Sequence, residues 1–215
     1  MIISRGRRYI FVHVPKTGGT SVTLALEARA LKDDILIGDT PKARRRRRRL
    51  QGLDAAGRLW KHSTLADVEG IVSRAEMRDF FTLTLVRNPW DRLVSYYHWL
   101  RSQRFDHPAV KLAGSLAFAD FLAHPDTRAT IRAWPYGRYM RDGAGREHCC
   151  AFVRLERLEQ DLAAFETHLG FRLQPLPRAN SSERHRDHRH YYDDTSAAIV
   201  AEICAEDIAR FGYRF

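Results

Sequence analysis

Arg7-Arg8-Tyr9-Ile10-Phe11-Val12-His13-Val14-Pro15-Lys16-Thr17-Gly18-Gly19-Thr20-Ser21 sets the architecture expected of this chain. Residues 7–14 are rich in β-formers and almost continuously apolar, the pattern of a strand buried on both faces of a parallel sheet. Pro15 ends it and a glycine turn follows. Residues 21–31 then place Val22, Leu24, Ala25, Leu26 and Ala28 at helical spacing. Strand, glycine turn and helix start together make an anion site. The first-turn N–H groups lack intrahelical partners, and the positive end of the helix dipole points the same way. Gly18 and Gly19 allow close backbone approach. Thr17, Thr20 and Ser21 offer hydroxyls, and Lys16 offers a mobile positive charge. The order is not that of a Walker A loop, in which Lys follows the last glycine.

Outward from this stretch, residues 35–37 predict a short strand and residues 80–86 the clearest strand of the chain. Pro89 opens a helix to about residue 102, at the position proline prefers. Residues 116–123 predict a short helix, 151–155 another strand, 156–169 the helix after it, and 195–211 a last amphipathic helix. Strands alternating with helices argue for an α/β protein with a central parallel sheet covered on both faces. The length, 215 residues, suits a single domain spanning 1–215. Residues 41–58 stand apart: six arginines, Arg44 to Arg49, form a like-charged segment expected as a solvated helix or a mobile loop.

Net charge is +10 with a pI of about 9.9, which favours anionic ligands without choosing among them. The three cysteines, an odd count with an adjacent pair at Cys149 and Cys150, are a poor disulfide framework. Reduced thiols in a cytoplasmic protein are the simpler expectation. No stretch approaches the ~20 apolar residues of a membrane span, and no signal peptide is expected.

A second motif is Leu85-Val86-Arg87-Asn88-Pro89-Trp90-Asp91-Arg92-Leu93-Val94-Ser95-Tyr96-Tyr97. Arg87 leaves the C-terminal edge of a strand, where α/β folds bind ligands. Its guanidinium can grip a phosphate through two parallel hydrogen bonds. Ser95, about 9 Å along the helix from Pro89, can meet the same phosphate. Arg92 is the competing ligand, or else an ion-pair partner of Asp91.

Pro15 to Ser21 resembles the 5′-phosphosulfate loop of sulfotransferases, and Arg87 with Ser95 resembles that family's 3′-phosphate motif. Residues 152–158 and 191–213 resemble the strand-to-helix segment and closing helix of the carbohydrate (Golgi-type) branch, in a bacterial-like form. The resemblance implies a three-layer α/β/α fold of the P-loop NTPase-like kind. It implies a donor, 3′-phosphoadenosine 5′-phosphosulfate (PAPS), whose product is adenosine 3′,5′-bisphosphate. The donor would be held by Lys16, Thr17, Gly18, Gly19, Thr20, Ser21, Arg87 and Ser95. It further implies a closing loop, with Ser182 and Arg184 as contacts.

Sulfuryl transfer needs in-line attack and neutralisation of the leaving group. Lys16 is the expected neutralising charge. The sulfuryl group carries less charge than a phosphoryl group, so no metal is required. Among ten histidines His62 is the expected general base. It precedes the 80–86 strand, as a catalytic histidine does in the glycan 2-O-sulfotransferases. His13 reads as a packed neighbour and Glu27 as a substitute base. The cluster of His185, Asp187, His188, His190 and Asp193 matches no strong metal spacing. The expected acceptor is a hydroxylated small molecule or glycan, anionic polymers included, with Trp60, Trp99, Trp134, Tyr136 and Tyr139 available to stack on sugars. No nucleic-acid partner is expected. The rival readings are a P-loop small-molecule kinase, needing a Mg²⁺-binding acid, and a non-catalytic polyanion binder using the arginine run.

Overall fold

The computed structural model describes residues 1–177 and 184–215; Ser182 lies outside them. In chain order the elements are β1 (Ile2–Ser4), β2 (Tyr9–Val12), α1 (Gly19–Ala28), β3 (Ile35–Leu36), α2 (Pro41–Arg46), α3 (Arg74–Asp79), β4 (Phe81–Val86), α4 (Pro89–Arg101), α5 (Pro108–Ser115), α6 (Phe118–Ala123), α7 (Pro125–Ala133), α8 (Tyr136–Tyr139), β5 (Ala151–Arg154), α9 (Leu158–Leu169), α10 (Asp194–Ile203) and α11 (Ala205–Phe211). They gather into two compact units, Met1–Val86 with Tyr136–Asn180 and Arg87–Pro135 with Ser181–Phe215.

The first unit is a mixed α/β structure around a five-stranded sheet ordered β3-β1-β2-β4-β5. Tyr9 and Phe11 of β2 pack with Ile2, Leu83, Leu85 and Val153 against Val22 and Leu26 of α1 and Leu162 and Phe165 of α9. Ile10, Val12 and Val86, of the opposite parity, are also fully buried. Both faces are therefore covered, as the unbroken apolar run implies. β2, β4 and β5 are parallel, but β1 runs antiparallel to both β2 and β3. The expected parallel sheet is met by β2, β4 and β5, and β1 departs from it for a physical reason. Only residues 5–8 join β1 to β2, with Arg8 at φ 53°, and so short a link closes a hairpin rather than a crossover.

β2 and β4 are direct neighbours in the sheet. Val12 lies beside Thr84, whose Oγ1 donates to the Val12 carbonyl at 2.8 Å. The segments that follow these two strands thus leave the sheet at one edge.

Residues 41–50 are helical: α2 is capped by Thr40, and Arg47–Leu50 continue it as a 3-10 turn. Ala43 is buried, while Arg44, Arg45, Arg47, Arg48 and Arg49 are exposed. Arg46 donates to the carbonyls of Leu31 and Asp34, and Arg49 to that of Lys32, so two arginines of the run stitch it to the end of the α1 segment.

The second unit is helical among its described residues, built on Trp90, Leu93, Tyr97 and Leu100 of α4 with Phe121, Leu122, Val200 and Ile203. The helix expected over 195–211 is two. Cys204 leaves helical geometry (φ −110°, ψ 18°) and ends α10 with its side chain buried. No helix among the described residues is long and apolar enough to cross a membrane.

Candidate functional site

The loop after β2 is built by backbone geometry. Lys16 (φ 65°) and Gly18 (φ 81°) both take left-handed conformations, and α1 starts at Gly19. For a residue with a Cβ such as Lys16 this costs roughly 1 kcal/mol, the kind of strain found at ligand clamps. A Cβ at Gly18 would lie 2.8 Å from Leu155 Cδ1, and one at Gly19 would lie 2.5 Å from His13 Cδ2. The left-handed turn therefore favours glycine at 18, and the His13 ring favours it at 19. The first turn of α1 has no side-chain cap and no acidic residue. The Ser21 N–H turns back to the Gly18 carbonyl at 3.3 Å, and the positive end of the helix dipole favours an anion. Thr17 is fully buried and its hydroxyl donates to the Val14 carbonyl at 2.9 Å, bracing the turn. Thr20 and Ser21 are half-buried in the first turn of α1.

His62 sits beside this loop. Its Nδ1 is 2.7 Å from the His13 carbonyl oxygen. A carbonyl only accepts, so Nδ1 carries the proton and Nε2 keeps its lone pair. Its ring packs edge-on against His13 (4.9 Å) and Trp60 (5.0 Å). Burial lowers the imidazole to about 4, against the opposing pull of the bond to His13. The ring is neutral at neutral pH. His13 is held well below the ordinary range too, by burial first, then by His62 and nearby positive groups including Lys61 and Lys16. The loop lysine therefore lies within electrostatic reach of His13. Glu27, the substitute base, is 4% exposed, with its carboxylate 2.7 Å from the Thr40 hydroxyl, and burial raises its pKa.

In the second unit, Asn88 caps α4 by accepting from Trp90 N at 3.0 Å, and Pro89 takes the first turn. Asp91 then draws two arginines together. Arg87 reaches Asp91 Oδ2 through Nε (2.8 Å) and Nη2 (2.6 Å), and Arg184 Nη2 reaches Oδ1 at 2.6 Å. Burial works against the Asp91 carboxylate, but the two guanidiniums hold its pKa below the usual value. Two positive groups against one negative leave this buried cluster net positive. Ser95, one turn beyond Asp91, is 9% exposed. The sequence named Arg87, Ser95 and Arg184 separately; their meeting through Asp91 was not legible, because 93 residues separate Asp91 from Arg184. Arg92 is not the arginine on Asp91 in these bonds. It is buried and bears on Cys204, whose thiol burial pushes up to about 12.

Of the aromatic residues expected to stack on sugars, Tyr136 and Tyr139 are core residues, while Trp60 is 44% and Trp134 37% exposed. Among the described residues no group of three or more His, Cys, Asp or Glu is arranged to hold a metal ion. His185 and His190 instead stack on each other at 3.7 Å.

Comparison with curated proteins gives no match. Among solved structures the chain is similar to a mouse sulfotransferase complexed with PAP, at 14% identity and a TM-score of 0.34, over 96% of this chain and 67% of that one. So distant a likeness carries no inference about residues. The family model described as "Sulfotransferase family" matches residues 1–214, and on that near-complete match the chain belongs to the sulfotransferase family.

Proposed function

We propose that the chain, both units acting as one domain over residues 1–215, transfers a sulfuryl group from PAPS to a hydroxyl of a carbohydrate acceptor. The observation that carries this reading is the parallel pairing of β2 with β4, which starts the Lys16 loop and Arg87 from adjacent strand ends. A nucleotide phosphorylated at both its 5′ and 3′ positions needs two anion sites at such an edge. The residues fit the group. The uncapped, positive end of α1 with Thr20 and Ser21 suits the 5′ side, and the Arg87–Asp91–Arg184 cluster with Ser95 suits a phosphate monoester. PAPS, when bound, supplies the sulfuryl group and a leaving phosphate.

Lys16 places an ammonium at the turn, where it neutralises negative charge developing on the leaving oxygen. His62 accepts the acceptor's hydroxyl proton at Nε2, with the His13 carbonyl fixing the tautomer. A free-protein value of about 4 makes a weak base. Negative charge brought beside the ring raises it toward neutrality, so the base strengthens when the donor is in place. Asp91 orients both arginines. Trp60, exposed and edge-on to His62, offers a face on which a sugar can stack next to the base. Charge on the transferring group is low enough for Lys16 and the helix start to answer without a metal. The odd count of three cysteines, two of them adjacent, suits a reducing, cytoplasmic setting.

The test is a screen of glycan and small hydroxylated acceptors with isotopically labelled donor, read by mass for one added sulfonate. It is paired with calorimetry of adenosine 3′,5′-bisphosphate with and without chelator. Sulfonate transfer and chelator-insensitive binding are expected. Magnesium-dependent ATP binding without sulfonate transfer would overturn the reading.

A further inference from the structure

Among the described residues three buried side-chain nitrogens have no hydrogen-bond partner: His98 Nε2, Arg184 Nη1 and His188 Nε2. All three lie in the helical unit. Asp91, Ser95 and His98 follow one another at i, i+4 and i+7 and so share one face of α4. The 3-10 turn His188–Tyr191 packs against α4, and Tyr191 stacks edge-on with His98 at 5.1 Å. Arg184 is bonded to Asp91, and His188 feels the charges of both Asp91 and Arg184. The three partnerless nitrogens thus surround the Asp91–Ser95 face.

Buried polar atoms are nearly always paired, and such a cluster calls for a ligand. A guanidinium nitrogen can only donate, so the ligand must accept. The neighbouring Ser95 hydroxyl and the net positive charge narrow it to a small anion with several oxygens.

We propose that His98 and His188 are additional ligands of a phosphate monoester held by Arg184 and that both rings take up a proton as it binds. This rests on the nucleotide reading above, the monoester being the 3′-phosphate. The surroundings support the proton uptake. Burial and the charges of Arg184 and Arg101 lower His98, with Tyr97 and Tyr191 as its ring neighbours. Burial also lowers His188. There Asp91 and Asp187 oppose it, Arg189 and Arg184 add to it, and Phe215 lies against the ring. Each ring starts neutral and lies where a dianion would favour its cation. The nucleotide would bind more tightly as pH falls toward the histidine range, opposite to a site of arginines alone.

The experiment is calorimetry of the full chain near pH 7 in two buffers of different ionisation enthalpy. The titrants are adenosine 3′,5′-bisphosphate, adenosine 5′-monophosphate and inorganic phosphate. Proton uptake is expected with the bisphosphate and with phosphate but not with the monophosphate. His98→Gln and His188→Gln should each reduce the uptake and weaken the bisphosphate by about tenfold, leaving the monophosphate unchanged. Unaltered uptake in both variants, or equal weakening of both nucleotides, overturns the proposal. Histidine NMR of the unmodified chain gives a reading independent of variant folding: two imidazoles must shift to their protonated positions on adding phosphate, and no shift overturns the proposal. Histidine-dependent phosphate binding without bisphosphate binding would retain the niche and remove the nucleotide reading. Binding of neither would remove both.

Discussion

The loop after β2 and the cluster on α4 both present positive potential, but they are made of different material. The loop is backbone: two left-handed residues, two glycines fixed by Leu155 and His13, and a threonine whose hydroxyl is consumed in bracing the turn. Little in it can rotate away. The cluster is side chain: two guanidiniums aligned by one carboxylate, with nitrogens beside them that have no partner. A backbone site binds by shape and tolerates no new atoms. A side-chain site binds by charge and is tuned by pairing and protonation. The difference suits a donor whose 5′ end must react while its 3′ end only anchors.

Substitutions should separate the two. Lys16→Ala removes the loop's one mobile charge and should lower turnover by roughly 10²–10³-fold with less than tenfold change in bisphosphate affinity. Single-turnover kinetics beside calorimetry would show this, and a loss confined to affinity would break the contrast. Arg87→Ala should do the reverse. It leaves Asp91 with one partner fewer in a half-dry site and should weaken the bisphosphate by about 3 kcal/mol, on the order of 100-fold. Unchanged affinity would take Arg87 out of the anchor. Gly19→Ala inserts a methyl 2.5 Å from the His13 ring and should cost roughly 1–3 kcal/mol in urea denaturation while moving His62 through the His13 carbonyl. A neutral result would mean that the loop is softer than its geometry indicates.

The smallest effect is on pH dependence. His62 titrates at about 4 when folded and near 6.5 when unfolded, so the unfolded chain takes up its proton first as pH falls. The His62 contribution to stability should be flat above about 6.5 and decline from there toward 4. His62→Asn should remove that contribution and leave those of His13, His98, His188 and the buried N-terminal amine, which burial also lowers. A decline untouched by the substitution would mean that the His62 imidazole is solvated.

The parts readable from the sequence were those set by local periodicity and turn chemistry. Residues 80–86 alternate and end cleanly, and they form β4; Pro89 marks the start of α4. β1 escaped because Ile2–Ser4 holds too few apolar residues to show a period, and its partner comes from the hairpin. The C-terminal run looked like one helix because periodicity continues across Cys204, where burial of the side chain accompanies a bend. In the site, the glycine loop was legible because its chemistry is contiguous. Asp91 as the bond between Arg87 and Arg184, and the approach of His188 to α4, are long-range facts with no local signature. The bond from the Thr17 hydroxyl to the Val14 carbonyl likewise has no signature in the sequence, since any threonine in such a loop looks the same.

One hydroxyl described above holds two helices at once. Thr40 accepts from Ala43 to begin α2 and donates to the carboxylate of Glu27 in the body of α1. The arginine-bearing helix is therefore pinned to the helix whose opening turn is the phosphate loop. Thr40→Val would unfasten both ends of that pin together.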